Sequence, residues 1–217
     1  MTGKGSLNHN SRKFHAKNTD PNRTHWNVEY CNEDIKDVYH ELFDDALKRY
    51  NDKQTRKDRK IDDYYEKIRS GKQEKLFHEV ILQIGDKDNM GSETMEGQLA
   101  AKILDEYMKG FQERNPTLRV FAAHLHLDEA TPHLHIDFIP YVTGSKRGLD
   151  TRVSLKQALS SLGFKGGSRS ETELNQWVQS EKQKLAMVMR ENEIEWDQKG
   201  THEQHLSVLD YKKKVRE

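Results

Sequence analysis

Two neighbouring segments in the middle of the chain alternate apolar and polar side chains and are only a few residues apart. The first ends with HLHL at 124–127, the second begins with HLHIDF at 133–138, and DEATP lies between them. Because successive side chains of a strand point to opposite faces, each segment places its histidines on one face and its aliphatic residues on the other. The short polar connection predicts an antiparallel pair of strands, with one imidazole-bearing face and one core face.

The histidines of this hairpin predict a metal site. The chain has 11 histidines, and four of them lie within twelve residues: His124, His126, His133 and His135. Neutral imidazoles with open coordination positions suit a divalent cation that also accepts a phosphate oxygen. A row of surface histidines is the alternative, but the alternating spacing beside two acidic residues in the bend favours metal. One cysteine excludes a cysteine cluster, which leaves zinc, manganese, magnesium, cobalt and nickel open.

The rest of the chain predicts strands separated by helices. A first helix is predicted from about residue 33, with Asn32 as its cap. A second is predicted after its cap Ser92 and ends before 115–116, and helical spacing also occurs at 171–196 and in the tail at 203–217. Strand patterns occur near 26–30 and at 77–84, 118–127 and 133–141. Residues 1–25 predict an extended arm, 52–75 a charged helix or insert, and 142–170 a basic, glycine-rich connection. The predicted fold class is α+β, an antiparallel β-sheet with flanking helices.

Charge is balanced overall but segregated along the chain. Lys and Arg total 36, as do Asp and Glu, so no global basic field is present. Residues 1–27 have a net charge of +4, and 48–75 and 142–170 have +5 each. Such blocks are often solvated helix faces, but they also permit a basic groove on a neutral protein. No apolar run reaches the roughly 20 residues of a membrane span, so we expect a cytoplasmic protein without membrane insertion.

The amino-terminal arm concentrates side chains suited to phosphate chemistry. Residues 8–27 include His9, Arg12, His15, Asp20, Arg23 and His25. Guanidinium groups make bidentate phosphate contacts, and an imidazole is a nucleophile or general base near neutral pH. A disordered polar terminus is the alternative interpretation of the same composition.

Taken together, the arm and the hairpin resemble the MobV (Mob/Pre) family of plasmid mobilisation relaxases, also called plasmid recombination enzymes. The matching arm residues are His9, Asn10, Arg12, Asn18, Asp20, Pro21, Arg23, His25 and Asn27. The matching hairpin residues are His126, Asp128, Glu129, Pro132, His133 and His135, which include the His–hydrophobe–His signature of the wider nicking superfamily. The resemblance implies a relaxase domain at 1–198 and the start of a C-terminal helical extension at 199–217.

The function that the resemblance implies is metal-dependent, strand-specific nicking and rejoining of DNA at a plasmid transfer origin, which initiates conjugative mobilisation. His9 would be the nucleophile and would form a covalent link to the 5′-phosphate, with Tyr30 and Tyr39 as rivals close in sequence. The metal, Mn²⁺ or Mg²⁺, would be held by His126, His133 and His135. The implied partners are single-stranded or hairpin DNA at the origin and a conjugative coupling protein.

Supporting roles are also implied by the resemblance. Glu129 would be a fourth ligand or an acid/base group, and the other catalytic candidates, which contact the phosphate or position the nucleophile, are Arg12, Asp20, Arg23 and His25. The DNA-binding candidates are Asn10, Arg12, Trp26, Lys146, Arg147 and Arg152, with Phe14 as a further stacking ring.

Three other functions remain open on the sequence. A rolling-circle replication initiator has the same hairpin, but its nucleophile generally follows the hairpin. A metal-dependent hydrolase would release its DNA product without a covalent adduct. A non-catalytic DNA-binding module would be insensitive to chelation.

Overall fold

One antiparallel sheet organises the computed structural model, which describes residues 2–3 and 6–196. Its strands are β1 Thr2–Gly3, β2 Val28–Asn32, β3 His78–Gln83, β4 Leu118–His126, β5 His133–Val142 and β6 Arg152–Val153. The order across the sheet is β1-β3-β5-β4-β2, and β6 pairs with the end of β5. The predicted α+β fold class is confirmed.

Helices cover both faces of this sheet. They are α1 Leu7–Asn10, α2 Ile35–Asp52, α3 Tyr64–Ser70, α4 Met95–Lys109, α5 Phe111–Arg114, α6 Leu155–Ser161 and α7 Glu173–Glu191. Helices α4 to α7 pack on one face and form the larger core. Helices α2 and α3 pack on part of the other face and form a second core. The central strands β4 and β5 are therefore buried on both sides.

Two helix starts differ from the sequence prediction by two residues. The side chain of Asp34, not Asn32, accepts a first-turn amide of α2. The side chain of Thr94, not Ser92, does the same for α4. Ser92 is buried and its hydroxyl instead donates to the carbonyl of Glu129 at 2.8 Å. Several polar residues precede each helix, and only the one whose oxygen reaches a free amide can cap it.

Segments with weak periodicity contain short elements. The arm includes α1 and a 3₁₀ turn at Thr24–Trp26, the charged stretch 52–75 includes α3, and the basic connection 142–170 includes β6 and α6. The helix predicted at 171–196 is α7. The tail helix predicted at 203–217 lies outside the described residues, as does the whole of the extension predicted at 199–217. Among the described helices, none combines the length and apolarity that a membrane crossing requires.

A β-bulge in β4 decides which side chains face the histidine side of the sheet. The pairing of β4 with β5 shifts between Val120 and Ala122. Val120 faces the larger core, whereas both Phe121 and Ala122 face the second core. Strict alternation from Val120 would have carried His124 and His126 into the larger core. The extra residue reverses the alternation of side chains along β4 and so brings both histidines to the opposite face of the sheet.

Candidate metal and nucleophile site

The paired strands β4 and β5 place their histidines opposite one another. His126 lies opposite His133, and His124 lies opposite His135. The intervening aliphatic side chains, including Leu134, enter the larger core. The imidazole face predicted from alternation is therefore present.

Three of these imidazoles converge on one point. One ring nitrogen from each of His126, His133 and His135 lies within 4.8 Å of the others. In the described part of the chain, Nδ1 of His126 and Nε2 of His135 are buried and have no hydrogen-bond partner. A buried nitrogen without a partner is unfavourable, and a cation bound between these rings would satisfy both atoms. The donor set therefore fits a divalent metal ion.

Hydrogen bonds fix the second nitrogen of each ring. Nε2–H of His126 donates to the carbonyl of Asn10 at 2.8 Å, and Nδ1–H of His135 donates to the Glu79 carboxylate at 2.7 Å. Nδ1–H of His133 donates to the backbone carbonyl of residue 131 at 2.8 Å. Because a carbonyl or carboxylate oxygen only accepts, each bond determines which nitrogen keeps its lone pair.

The charge state of the rings also suits metal binding. Burial, together with the nearby His135 and Arg12, lowers the pKa of His126 to about 2. Burial and His135 also lower the pKa of His133. Neutral imidazole is the form that binds metal, so these two ligands need no deprotonation at neutral pH.

The amino-terminal arm is held against the bend between β4 and β5. Nε of Arg12 donates to Asp128 at 2.9 Å, and its Nη2 donates to Glu129 at 2.9 Å. Although burial opposes ionisation, the bond from Arg12 lowers the pKa of Asp128 to about 2. Nδ2 of Asn18 donates to the second oxygen of Glu129 at 2.6 Å. The arm is thus an ordered part of the site, not a disordered terminus.

The arm brings His9 to the histidine cluster. The ring centroid of His9 lies 6.1 Å from that of His126 and 6.2 Å from that of His135. Its Nε2 lies 3.4 Å from Glu129 Oε1 and 3.4 Å from Arg12 Nη1. Burial and the charge of Arg12 lower the pKa of His9. A neutral, half-buried imidazole therefore stands next to two of the three candidate metal ligands.

Comparison with known protein families places the chain in one of them. A model of the Mob_Pre family, described as plasmid recombination enzyme, matches residues 5–213, nearly the whole chain. This chain belongs to the Mob_Pre family. That membership confirms the predicted family, whose model describes a plasmid recombination enzyme, and with it the prediction that the chain is an enzyme. No curated protein sequence matches the chain.

Solved structures show that this Mob_Pre chain has a relaxase-domain fold. One is the MobM relaxase domain bound to 22-nucleotide oriT DNA of plasmid pMV158 in an Mn-bound crystal at pH 5.5. It is 22% identical, with 99% of this chain and 97% of that chain covered and a TM-score of 0.56. Another, with 23-nucleotide DNA and also Mn-bound, is 23% identical, with 97% and 90% covered and a TM-score of 0.54.

The rival tyrosines of this Mob_Pre chain are directed elsewhere. The hydroxyl of Tyr30 donates to Asp105 at 2.8 Å, and its ring packs against the larger core, across the sheet from the histidines. Tyr39 is 2% exposed, and its hydroxyl donates to the carbonyl of Leu76 at 2.7 Å. Burial raises the pKa of both phenols.

The other predicted arm residues divide into anchors and exposed groups. Nη1 of Arg23 donates to the Leu127 carbonyl at 2.7 Å, and its Nε donates to Asp20 at 3.1 Å, so Arg23 ties the arm to the bend. His25 and Trp26 are exposed; Trp26 is 39% accessible, and its ring centroid lies 5.9 Å from the Arg23 guanidinium. In the structure Arg23 therefore anchors the arm, and its guanidinium is not free to contact a phosphate.

The predicted DNA-binding residues are not all in one place. Asn10 is 2% exposed with its amide hydrogens bound to buried carboxylates, so its side chain does not face solvent. Lys146 and Arg147 are exposed in the loop that follows β5. Arg152 is partly buried, and its Nε donates to Ser145 at 3.0 Å. Since β5 rises about 3.3 Å per residue, this loop lies roughly 30 Å from the histidine end of the strand.

Two buried acids of the site were not predicted from the sequence. Glu79 on β3 and Asp137 on β5 are paired across the sheet and are 4% and 0% exposed. Burial raises the pKa of Asp137 to about 7. Burial also opposes ionisation of Glu79, but bonds from His135 and Asn10 lower its pKa. The sequence did contain a signal for Glu79, because it is an acidic residue inside the otherwise largely apolar strand segment 77–84.

Proposed function

We propose that this chain nicks and rejoins one strand of DNA at a plasmid transfer origin, with His9 as the nucleophile. The observation that supports this most is the position of His9. Its ring stands 6.1 and 6.2 Å from two of the three candidate metal ligands, on an arm fixed to the same hairpin. The MobM relaxase domains that have this fold are described as bound to oriT DNA, which supports the same class of substrate.

The proposed nicking step is a transesterification. The lowered pKa leaves His9 neutral at neutral pH, so a ring nitrogen has a lone pair available. That lone pair forms an N–P bond with the scissile phosphate while the P–O3′ bond breaks. The 3′ oxygen leaves with the electron pair of the broken bond and takes up a proton. Because no water is consumed, the reverse step is open: the 3′-hydroxyl attacks the phosphorus and loses its proton, the N–P bond breaks with the His9 nitrogen as leaving group, and the strand is rejoined.

The metal site supports the proposed step. His126, His133 and His135 would hold a divalent ion, Mn²⁺ by likeness to the Mn-bound relatives, with Mg²⁺ as the alternative. When bound, such an ion supplies a Lewis acid that neutralises charge on a phosphate oxygen. Arg12 and Glu129 orient the His9 ring from the side of the bend. Glu129 is 3.8 Å from His133, close enough for a role as a fourth ligand or as a proton acceptor.

Exposed aromatic groups beside His9 are suited to unpaired bases. Phe14 is 50% exposed, and its ring centroid lies 6.0 Å from that of His9. Trp26 offers a second exposed ring on the same arm. Stacking on aromatic rings is typical of single-strand binding, so we propose that the DNA next to the nick is unpaired. A conjugative coupling protein stays a prediction from the resemblance.

The test is incubation of a supercoiled plasmid carrying a candidate transfer origin with the protein and Mn²⁺, or with a chelator. We expect Mn²⁺-dependent relaxation and, after denaturation, protein attached to the 5′ end of the nick. An imidazole–phosphate bond hydrolyses in mild acid, whereas a tyrosine–phosphate ester survives, so mild acid should release the DNA.

Two variants make the result specific to His9. His9→Ala should bind the same DNA but leave it supercoiled, whereas Tyr30→Phe should nick as the unaltered protein does. Nicking by His9→Ala at the normal rate would overturn the nucleophile assignment. Nicked DNA without attached protein would favour the hydrolase alternative, and activity insensitive to chelation would contradict the metal site.

A further inference from the structure

Asn10 connects the helix that bears His9 to the ligand cluster through two separate groups. Its backbone carbonyl accepts Nε2–H of His126 at 2.8 Å. Its side-chain amide donates to Glu79 at 2.8 Å and to Asp137 at 2.9 Å. All three contacts are buried, and they span 69 to 127 positions of sequence.

Glu79 extends the connection to a second ligand. The same oxygen, Oε1, that accepts from Asn10 also accepts Nδ1–H of His135 at 2.7 Å. Asn10 is thus bonded directly to His126 and through one shared oxygen to His135. Its neighbour along α1, Asn8, is exposed and its side chain makes none of these contacts.

We infer that Asn10 is a positioning residue that couples metal binding to the placement of His9, an inference that rests on the proposed function. Its carbonyl holds His126, and its amide holds the Glu79 oxygen that orients His135. Because His9 is the preceding residue on α1, whatever orders Asn10 also fixes the start of the His9 side chain. Partners behind metal ligands typically change metal affinity 10- to 100-fold, roughly, when they are removed.

Coupling of this kind is reciprocal. If α1 steadies the ligands, then metal bound to the ligands must steady α1 to the same extent. A residue that serves only the stability of the fold would lower the unfolding temperature but leave the metal affinity of the folded protein unchanged. The two roles are therefore separable by measurements well below the unfolding temperature.

The first measurement is Mn²⁺ affinity of the full chain by titration calorimetry. We expect Asn10→Ala to bind Mn²⁺ about 10-fold more weakly than the unaltered chain, and the matched control Asn8→Ala to bind it normally. Asn10→Ser keeps a single donor and should fall between the two, which provides a folded variant if the alanine variant is unstable. Equal affinity for both Asn10 variants and the unaltered chain would overturn the inference.

The second measurement needs no metal and so separates this inference from the proposed function. Nitrogen NMR of the histidine rings in the metal-free chain should show His126 as the Nε2–H tautomer and His135 as the Nδ1–H tautomer. Asn10→Ala or Asn10→Ser should mix these tautomers, whereas Asn8→Ala should not. If the unaltered chain binds no Mn²⁺ but the tautomers respond to Asn10, the metal site and the coupling to it are overturned, whereas the positioning of the His126 and His135 rings by Asn10 is supported. Unchanged tautomers in both Asn10 variants would overturn that role.

The third measurement is amide hydrogen exchange of α1. Mn²⁺ should slow exchange across residues 7–10 in the unaltered chain and in Asn8→Ala, and should have less effect in Asn10→Ala. Equal slowing in all three proteins would contradict the coupling.

Discussion

At the scale of single residues, charge and burial adjust the chemistry of His9. Arg12 is pulled toward Asp128 and Glu129, and its backbone is in the left-handed region with φ at 52°. That conformation is unfavourable for a residue other than glycine, and the two carboxylates offset its cost. The result is a guanidinium 3.4 Å from the His9 ring that disfavours the protonated, unreactive imidazole.

The pKa of His9 is the first measurable consequence. In the metal-free chain, we expect the His9 ring to titrate below 6.5 by NMR, because burial and Arg12 both oppose its protonation. His9 therefore stays neutral down to a lower pH than a free histidine. Because nicking requires neutral His9, we expect the nicking rate to decrease only as the pH falls through this lowered pKa.

Two substitutions test the cause of the lowered His9 pKa, because they should shift it in opposite directions. Arg12→Gln removes a positive charge and should raise the His9 midpoint, whereas Glu129→Gln removes a negative charge and should lower it. The His9→Ala spectrum identifies the resonance. A His9 midpoint above 6.5 in the unaltered chain, or a shift of the same sign in both variants, would contradict this explanation.

At the scale of elements, the site depends on how the arm is fastened to the β4–β5 bend. Oδ1 of Asn27 accepts the amide of Leu127 at 2.7 Å and that of Asp128 at 3.1 Å. The backbone amide of Asp20 donates to the carbonyl of Asp128 at 2.7 Å. These bonds satisfy backbone groups that would otherwise be unpaired where the hairpin turns.

Loss of the Asn27 side chain should loosen the arm. Asn27→Ala leaves two backbone amides without their acceptor, and we expect the free energy of unfolding to fall by about 2 kcal/mol. Urea unfolding measures this change, with Asn22→Ala as the control, since the Asn22 side chain is exposed and its backbone amide, which the substitution keeps, donates to Asp20. Equal stability of Asn27→Ala and Asn22→Ala would contradict the fastening role.

The elements also show what the sequence could predict. Alternation at 124–127 and 133–138 was sufficient for the hairpin and its imidazole face, because the period of a strand determines its faces. The bulge at Phe121 was not predictable, because the apolar residues on both sides of it are buried in one core or the other. The caps Asp34 and Thr94 were missed because nearby residues offered the same chemistry.

The site itself was predicted in part. The residue pattern indicated a metal site among the four hairpin histidines, and the family resemblance selected His126, His133 and His135 from them. The structure brings these three together. The role of His9 came from family resemblance, since no local pattern indicates that an arm more than 100 residues away meets the hairpin. Asn10 was predicted to bind DNA, because an asparagine in a polar arm gives no sign that it is buried. Its contacts are with residues far away in the sequence, so no local pattern reveals them.

At the scale of the whole molecule, zero net charge coexists with local basic surfaces. Lys146 and Arg147 project from the loop that joins β5 to β6, where Gly144 and Gly148 adopt positive φ values of 71° and 73°. The loop is at the opposite end of β5 from His133. DNA lying along the strand would reach it about nine nucleotides from the nick, at roughly 3.4 Å per nucleotide of one strand.

Salt dependence of DNA binding tests this surface. Lys146→Ala with Arg147→Ala should weaken origin binding and reduce the slope of log affinity against log salt by about 2, one for each lost phosphate contact. The control, Lys182→Ala with Lys184→Ala on exposed positions of α7, removes the same charge elsewhere and should leave the slope unchanged. Identical slopes for the two double variants would place the DNA elsewhere.

The most direct test of the whole account is mass spectrometry of the covalent product. After reaction with origin DNA and Mn²⁺, digestion by protease and nuclease should leave one peptide that contains His9 and is heavier by the mass of a 5′-phosphorylated nucleotide. The same mass on a peptide that contains Tyr30 or Tyr39, or its absence from every peptide of a reaction that has nicked the DNA, would contradict the account.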